Sequence, residues 1–302
     1  MKKARADRVF DACNIAVMVL LLLIMLYPLY YIVIASVSEP YDVAMGKVFL
    51  KPSGFTLEAY RNVFENRKIW VGYRNTVFYT LFGTLLNLGL TLPTAYVLSK
   101  KQLMGRTFFS WYFLIPMYFG GGLIPTYLLV KSLRLINTPV VIVIMGGLSI
   151  YNMIVTRTYF TNSIPEELYE SARIDGASDL RMFFTIAIPL AVPIIAVVAL
   201  FYAVARWNDY YTALIYVSSD RYYPLQMMLR SILLSYEQGF SMSSDATRGL
   251  SAEEIAWLSK KQYIAQAMKY ALIFIASAPL LILYPFVQKY FIKGMMIGSL
   301  KG

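Results

Sequence analysis

Between Cys13 and Val37 the chain runs without one charged residue, longer than the ~20 apolar residues that carry a helix across a bilayer core. In hydrocarbon a backbone must satisfy its own N–H and C=O groups, so this run is read as a helix. A soluble helix of that length would show a polar face, and this one has none. A cleaved secretion signal is the competing reading, but its apolar core is ~7–15 residues, and no small-residue cleavage site follows the run cleanly. Similar runs recur, giving six expected spans at about 12–37, 75–98, 107–130, 139–158, 187–217 and 268–291. The fold class expected is all-α and polytopic, a single transmembrane domain over 1–302 with long loops at about 38–74 and 218–267. A composition 58% hydrophobic and only 15% charged agrees.

An even number of spans places both termini on one side. Lys2, Lys3, Arg5 and Arg8 before the first span, with Lys100, Lys101 and Arg106 in a short loop, make that side cytoplasmic. The opposite loops also carry Lys47, Lys51, Arg61, Arg67, Lys68 and Arg74, but charge in long loops counts for less. The net charge of +11 sits at the ends of apolar runs rather than on one face, which belongs to membrane flanks and not to a nucleic-acid surface. There is no histidine, and Cys13 is the one cysteine, so a disulfide framework, a multi-cysteine metal site and a Ser-His-Asp hydrolase are all excluded. No metal site is expected. In the first long loop Thr56 is placed to cap a short helix with Leu57, Tyr60 and Phe64 on one side; in the last, a capped amphipathic helix starts near Ser251.

One segment breaks the apolar pattern, "PEELYESARIDGASDLRMFFTIAIP" from Pro165 to Pro189. Ser163 and Glu166 have the spacing of a capping box, with Pro165 inside the first turn. Glu166, Glu167 and Glu170 lie near the positive end of the helix dipole; Leu168, Ala172 and Asp175 follow at helical spacing. Gly176 is placed to end that helix and Ser178 to start a second one. The prediction is helix, glycine turn, helix in a cytoplasmic loop, feeding through Ile186, Ile188 and Pro189 into the fifth span.

These residues resemble the EAA loop of permeases of binding-protein-dependent ABC importers, a pattern of E-A-A, three residues, G, nine residues, then I-x-L-P. Glu170, Ser171 and Ala172 fill the first three positions, Gly176 the glycine, Ile186 the isoleucine and Pro189 the proline, with Ser171 and Ile188 departing conservatively. "GGLIPTYLLVKSLRLINT" from Gly121, "RWNDYYTALIYV" from Arg206, "YYPLQMMLRSILL" from Tyr222 and "QKYFIKGMMIGSLKG" from Gln288 are similar to the second permease subunit of carbohydrate importers, the MalG-like and LplC-like type. The resemblance covers essentially the whole chain and implies the type I importer permease fold, with six transmembrane helices. It also implies a coupling loop at about 161–186 that docks on an ATPase, with Glu170, Ser171, Ala172, Asp175, Gly176, Ile186 and Pro189 as coupling residues. The implied partners are a second permease subunit in a heterodimer, two ATPase subunits and an extracellular substrate-binding lipoprotein. The implied location is the bacterial plasma membrane, and the basic tail is expected to reach toward the ATPase pair.

No P-loop occurs anywhere, so this chain binds no ATP in the usual cradle; ATP and magnesium are expected on the partner ATPase, and no cofactor on this chain. Polar residues inside spans are the default path candidates. Asn75, Tyr79, Gly83, Asn87 and Thr91 make a stripe at every fourth residue, which reads more readily as helix packing than as a path. Trp207, Asn208, Asp209 and Tyr210 offer the amides, carboxylate and ring faces that suit a sugar, while Arg206 and Asp209 also suit a supporting pair near the membrane surface. Gly120, Gly121 and Gly122 are expected to break or loosen the third span. Two alternatives stand beside a carbohydrate permease: a permease for peptides, amino acids or lipids, and a membrane scaffold that docks an ATPase without moving solute.

Overall fold

A computed structural model describes residues 5–234 and 251–299 as a helical protein. It divides into two compact units, Met1–Ile69 with Leu229–Ala278, and Trp70–Met228 with Pro279–Gly302. In the first, α1 (Arg5–Ser36) exposes nearly all of its apolar length and buries only its end, where Ile34 and Ala35 pack with Val43 and Val48. Short helices α2 (Pro40–Ala44) and α3 (Glu58–Glu65) follow. Glu58 N–H donates to Thr56 Oγ1 as expected, but α3 buries Ala59 and Val63, while Leu57 and Phe64 stay exposed. Between these helices the Ser53 hydroxyl and the Lys47 ammonium hold the Asp42 carboxyl below the usual carboxylate range.

α15 (Ala252–Ser299) starts where expected. Ser251 N–H donates to Glu254 Oε2 at 2.8 Å, and Glu254 N–H donates back to Ser251 Oγ at 3.3 Å, a reciprocal capping box. The helix does not stop before the sixth span; it is one helix with it. Tyr270 and Phe274 on α15 meet Tyr31 and Tyr60 edge-on, at 5.5 and 6.4 Å between ring centres.

The second unit contains most of α4 (Arg67–Ser99), then α5 (Arg106–Tyr118), α6 (Leu123–Ser132), α7 (Pro139–Ile144), α8 (Ile150–Ser163), α9 (Glu166–Ile174), α10 (Asp179–Met182), α11 (Ile188–Leu190), α12 (Val192–Trp207), α13 (Tyr211–Tyr216) and the start of α14 (Leu225–Leu234). α8 and α12 pack side by side, and their apolar faces share one core with the end of α4.

Among the described residues three helices are long and apolar enough to cross a membrane, in α1, α4 and α15, and the number rises to five if each of two bent pairs is one span. α5 and α6 meet at 112° beyond Tyr118, where Gly122 takes a left-handed φ of +82°. The segment α10–α11 meets α12 at 82°. The span expected at 139–158 is two helices, not one. α7 ends as Gly146 turns to φ +65°, and α8 restarts with Ser149 Oγ accepting from Asn152 N–H. Among the described residues the spans therefore number three to five by length and composition, against the six expected.

Candidate functional site

The polar segment expected to couple folds as predicted in outline. α9 starts at Glu166, the chain turns at Gly176 with φ +75°, and α10 begins after Ser178, whose Oγ accepts from Arg181 N–H. The capping box does not form. Ser163 is the last residue of α8, and α9 is preceded by Pro165, which has no side chain to cap with. Pro165 preorganises the first turn instead, since its fixed φ suits the entry to a helix. Beyond α10 the residues Phe183–Ala187 form a wide π-helical turn. Pro189 lacks the N–H that would close on the Thr185 carbonyl, so the regular ladder cannot run through this point.

α9 is held from below by a single ring. Tyr169 is 2% exposed and lies in a core with Tyr96, Phe160, Met182 and Phe183, its ring centre 6.0 Å from that of Tyr96. Leu168 is 43% exposed; the inward positions of α9 are Tyr169 and, in part, Ala172. Lys100, just past the end of α4, places its ammonium 2.8 Å from the Tyr169 ring centre and 4.9 Å from that of Tyr96, a cation against two π-faces. Burial pulls the Lys100 amine down to about 8, with Glu166 and Asp179 pulling back up and Arg173 adding to the fall. The same burial pushes the Tyr169 phenol up.

The outer surface of this segment mixes carboxylates and apolar side chains. Glu166, Glu167, Glu170, Asp175 and Asp179 are exposed, and the ion pairs Lys47–Asp42 and Arg61–Glu65 lie elsewhere. Between them stand Ile174 at 88% exposure, Leu180 and Phe184. Ser171 and Gly176 are exposed; nothing lies within 4 Å of where a Gly176 side chain would start. Ile186 packs partly against the core, and Pro189 is exposed.

At the other end of α8 and α12 the packing is polar. Asn75 is buried and donates to the carbonyls of Arg221 and Tyr223 at 2.8 and 3.0 Å; Tyr79 donates its hydroxyl to Tyr222 O at 2.9 Å. Asn87 is fully buried and donates to Gly146 O and Gly147 O, both at 2.7 Å. The Thr91 and Tyr202 hydroxyls share a hydrogen bond of 2.7 Å, and Tyr202 accepts from Ser149 N–H at 3.0 Å. Arg206, 8% exposed, donates to Asn87 Oδ1, Ile142 O and Met145 O at 3.1, 2.9 and 2.6 Å. Gly83 leaves the room for it: a Cβ there would stand 2.8 Å from Arg206 Nε.

Trp207 is buried, its ring 5.9 Å from that of Tyr73 and edge-on. Asn208 and Tyr210 are exposed. Asn208 donates to Val204 O and accepts from Gln226 Nε2 at 3.4 Å, while Asp209 Oδ1 accepts from Thr212 N–H and so starts α13. Sequence reasoning missed Lys100, Tyr96 and Tyr202. A tyrosine three residues into a polar helix was the available signal for Tyr169. The basic tail and the loop 235–250 lie outside the described residues or their side chains.

Residues 69–297 match the family described as "Binding-protein-dependent transport system inner membrane component". Protein LplC of Bacillus subtilis is 37% identical over all of this chain and 98% of its own length. The polygalacturonan/rhamnogalacturonan transport system permease protein YtcP of the same organism is 36% identical over 98% of this chain and 99% of its own. Among solved structures, a bacterial ABC transporter involved in the import of the acidic polysaccharide alginate has a chain that superposes with a TM-score of 0.84 at 33% identity, over 96% of this chain and 99% of its own.

Proposed function

This chain belongs to the family of inner membrane components of binding-protein-dependent transport systems, and on that premise we propose that it is a permease subunit of an ATP-driven carbohydrate importer. The observation that carries the coupling part is the segment from α9 to the wide turn after α10, fastened inward by Tyr169 and exposing Ile174, Leu180 and Phe184 among carboxylates. Apolar groups so exposed in water mark a protein interface. The partner there is an ATPase subunit, and Glu170, Ser171, Ala172, Asp175 and Gly176 form its docking helix and turn, with Ile186 and Pro189 carrying the movement into α12. ATP and magnesium stay on that partner. Cytoplasmic termini, a second permease subunit, a pair of ATPases and an extracellular binding protein complete the assembly.

Carbohydrate is favoured over peptide or lipid because relatives across the full length carry sugar-transport names. The path candidates divide by their surroundings. Asn208, Asp209 and Tyr210 stand at the end of α12 remote from the docking turn and are the groups this reading assigns to solute. Asn75, Tyr79, Asn87 and Trp207 are buried and bonded or packed within the unit, and it assigns them to helix packing. The test is uptake by proteoliposomes that hold the four-subunit importer, with its binding protein, offered neutral, uronic and peptide trimers. ATP-dependent uptake of the peptides alone, or none with ATPase still stimulated, would overturn it.

A further inference from the structure

Arg206 is a cation buried in the apolar part of the chain, and it meets no carboxylate within hydrogen-bond reach among the described residues. It meets the end of a helix. Carbonyls at the end of α7 and in the turn after it are taken up: Ile142 O and Met145 O accept from Arg206, Gly146 O and Gly147 O accept from Asn87, and Ile144 O accepts from Gly147 N–H. The positive guanidinium also sits where a helix carries its negative end. Arg206 and Asn87 bond to each other, so α4, α12 and the turn between α7 and α8 are fastened at one point. One turn back on α12, Tyr202 repeats the link, to Thr91 on α4 and to Ser149 at the start of α8.

α8 and α12 are the two helices that enter and leave the docking segment. They are joined at that segment by the ring core around Tyr169 and, at the opposite end, by Tyr202 to Ser149 at the start of α8, with Arg206 holding the chain that leads into it at Ile142 and Met145. A buried charge held by neutral carbonyls is a costly way to stabilise a fold; an apolar side chain of like volume commonly does as well or better. What the guanidinium adds is geometry, because its planar fork fixes several acceptors at once.

We propose that Arg206 is a positioning residue for transport: it locks α8, the docking segment and α12 into one rigid strut, so that a push on α9 moves both helices together. The inference rests on the coupling reading above. In this role Arg206 does not touch solute, so charge selectivity is set by other groups.

The test uses the assembled importer in lipid nanodiscs, with Cys13→Ser as background and spin labels at Tyr151→Cys on α8 and Ala205→Cys on α12, both exposed positions. The distance between the labels is measured without nucleotide and with ATP trapped by vanadate. In the parent a single narrow distance, the same in both states, is expected. With Arg206→Met the distribution broadens and becomes state-dependent, and the ATPase stimulated by binding protein per solute moved rises by roughly tenfold, while basal ATPase is unchanged. Gly83→Ala, which crowds the guanidinium without removing it, gives the same broadening and covers the case in which Arg206→Met fails to assemble. Arg206→Lys restores insertion but not the narrow distance. A distance that already shifts with nucleotide in the parent, or one unchanged in both variants, overturns the strut. Oligogalacturonate is the uptake probe. If the parent takes up neither this probe nor a neutral trimer, yet moves a peptide and its distances behave as expected, the carbohydrate reading fails and the strut stands.

Discussion

The two ends of the α8–α12 pair are fastened by opposite chemistries. At the docking end the joint is made of rings and one ammonium: Tyr96, Phe160, Tyr169 and Phe183 with Lys100. At the far end it is made of amides, hydroxyls and a guanidinium: Asn87, Thr91, Tyr202 and Arg206. Each chemistry has a solvent in which it holds best. Beside water, burying apolar surface is itself a driving force, and a polar helix such as α9 needs only one large ring to be held. Among lipid tails apolar side chains gain nothing by choosing a helix over a lipid, so association there falls to close packing and hydrogen bonds.

The largest effect that would break this comparison is expected from Tyr169→Ala. Removing a buried ring costs about 3–5 kcal/mol, here concentrated on the joint of α9. Protease cleavage between 164 and 178 should become fast and uptake should collapse, with the amount of inserted protein unchanged. If α9 stays protected, the ring is not its fastening. Gly176→Val comes next. Nothing stands in the way of a side chain, so the cost is backbone strain at φ +75°, about 1–2 kcal/mol, and Gly176→Asn should lose much less. Stimulated ATPase of the two variants reads the difference, and equal loss in both would point to contact with the partner rather than to the turn.

Tyr202→Phe sharpens the contrast, since it removes one hydroxyl and keeps the ring. With Ser149 N–H and Thr91 left short of a partner, we expect about 1 kcal/mol, seen as a drop of a few degrees in melting in detergent. The same substitution at Tyr169, whose hydroxyl has no hydrogen-bond partner among the described residues, should leave the melting point in place. The smallest effect concerns Lys100. Its acylation rate should rise through a midpoint near pH 8, well below the ~10.4 of an unperturbed lysine. The shift is downward, so the amine gains reactivity at lower pH than usual. Tyr169→Ala should move that midpoint up, as water returns to the amine.

Much of this was legible in sequence because it depends on local rules. Helix, glycine turn and second helix between Glu166 and Met182 follow from Pro165, Gly176 and Ser178, whose backbone preferences act within a few residues. The capping box at Ser163 was misread because the spacing is the same whether the serine ends one helix or starts the next. Two spans were drawn as continuous where a bend intervenes. Hydropathy averages over ~20 residues and is blind to one left-handed glycine, such as Gly146, or to the wide turn before Pro189. Helical spacing alone does not say which side of α9 turns inward; Tyr169 is the residue that reaches the core. Least legible was Arg206. In the run "RWND" it reads as a group facing solute or paired with Asp209, and its partners at 87, 142 and 145 are too distant in sequence for any local pattern to reveal.

The close approach of Gly83 to Arg206 has a consequence on the scale of descent rather than of motion. A Cβ at position 83 and a guanidinium from position 206 compete for the same space, so neither site is free to drift while the other holds. Lineages of this permease should carry the small residue and the arginine as a linked pair. A lineage that has lost one is expected to have replaced the other, with a shorter side chain at 206 wherever anything larger than glycine occupies 83.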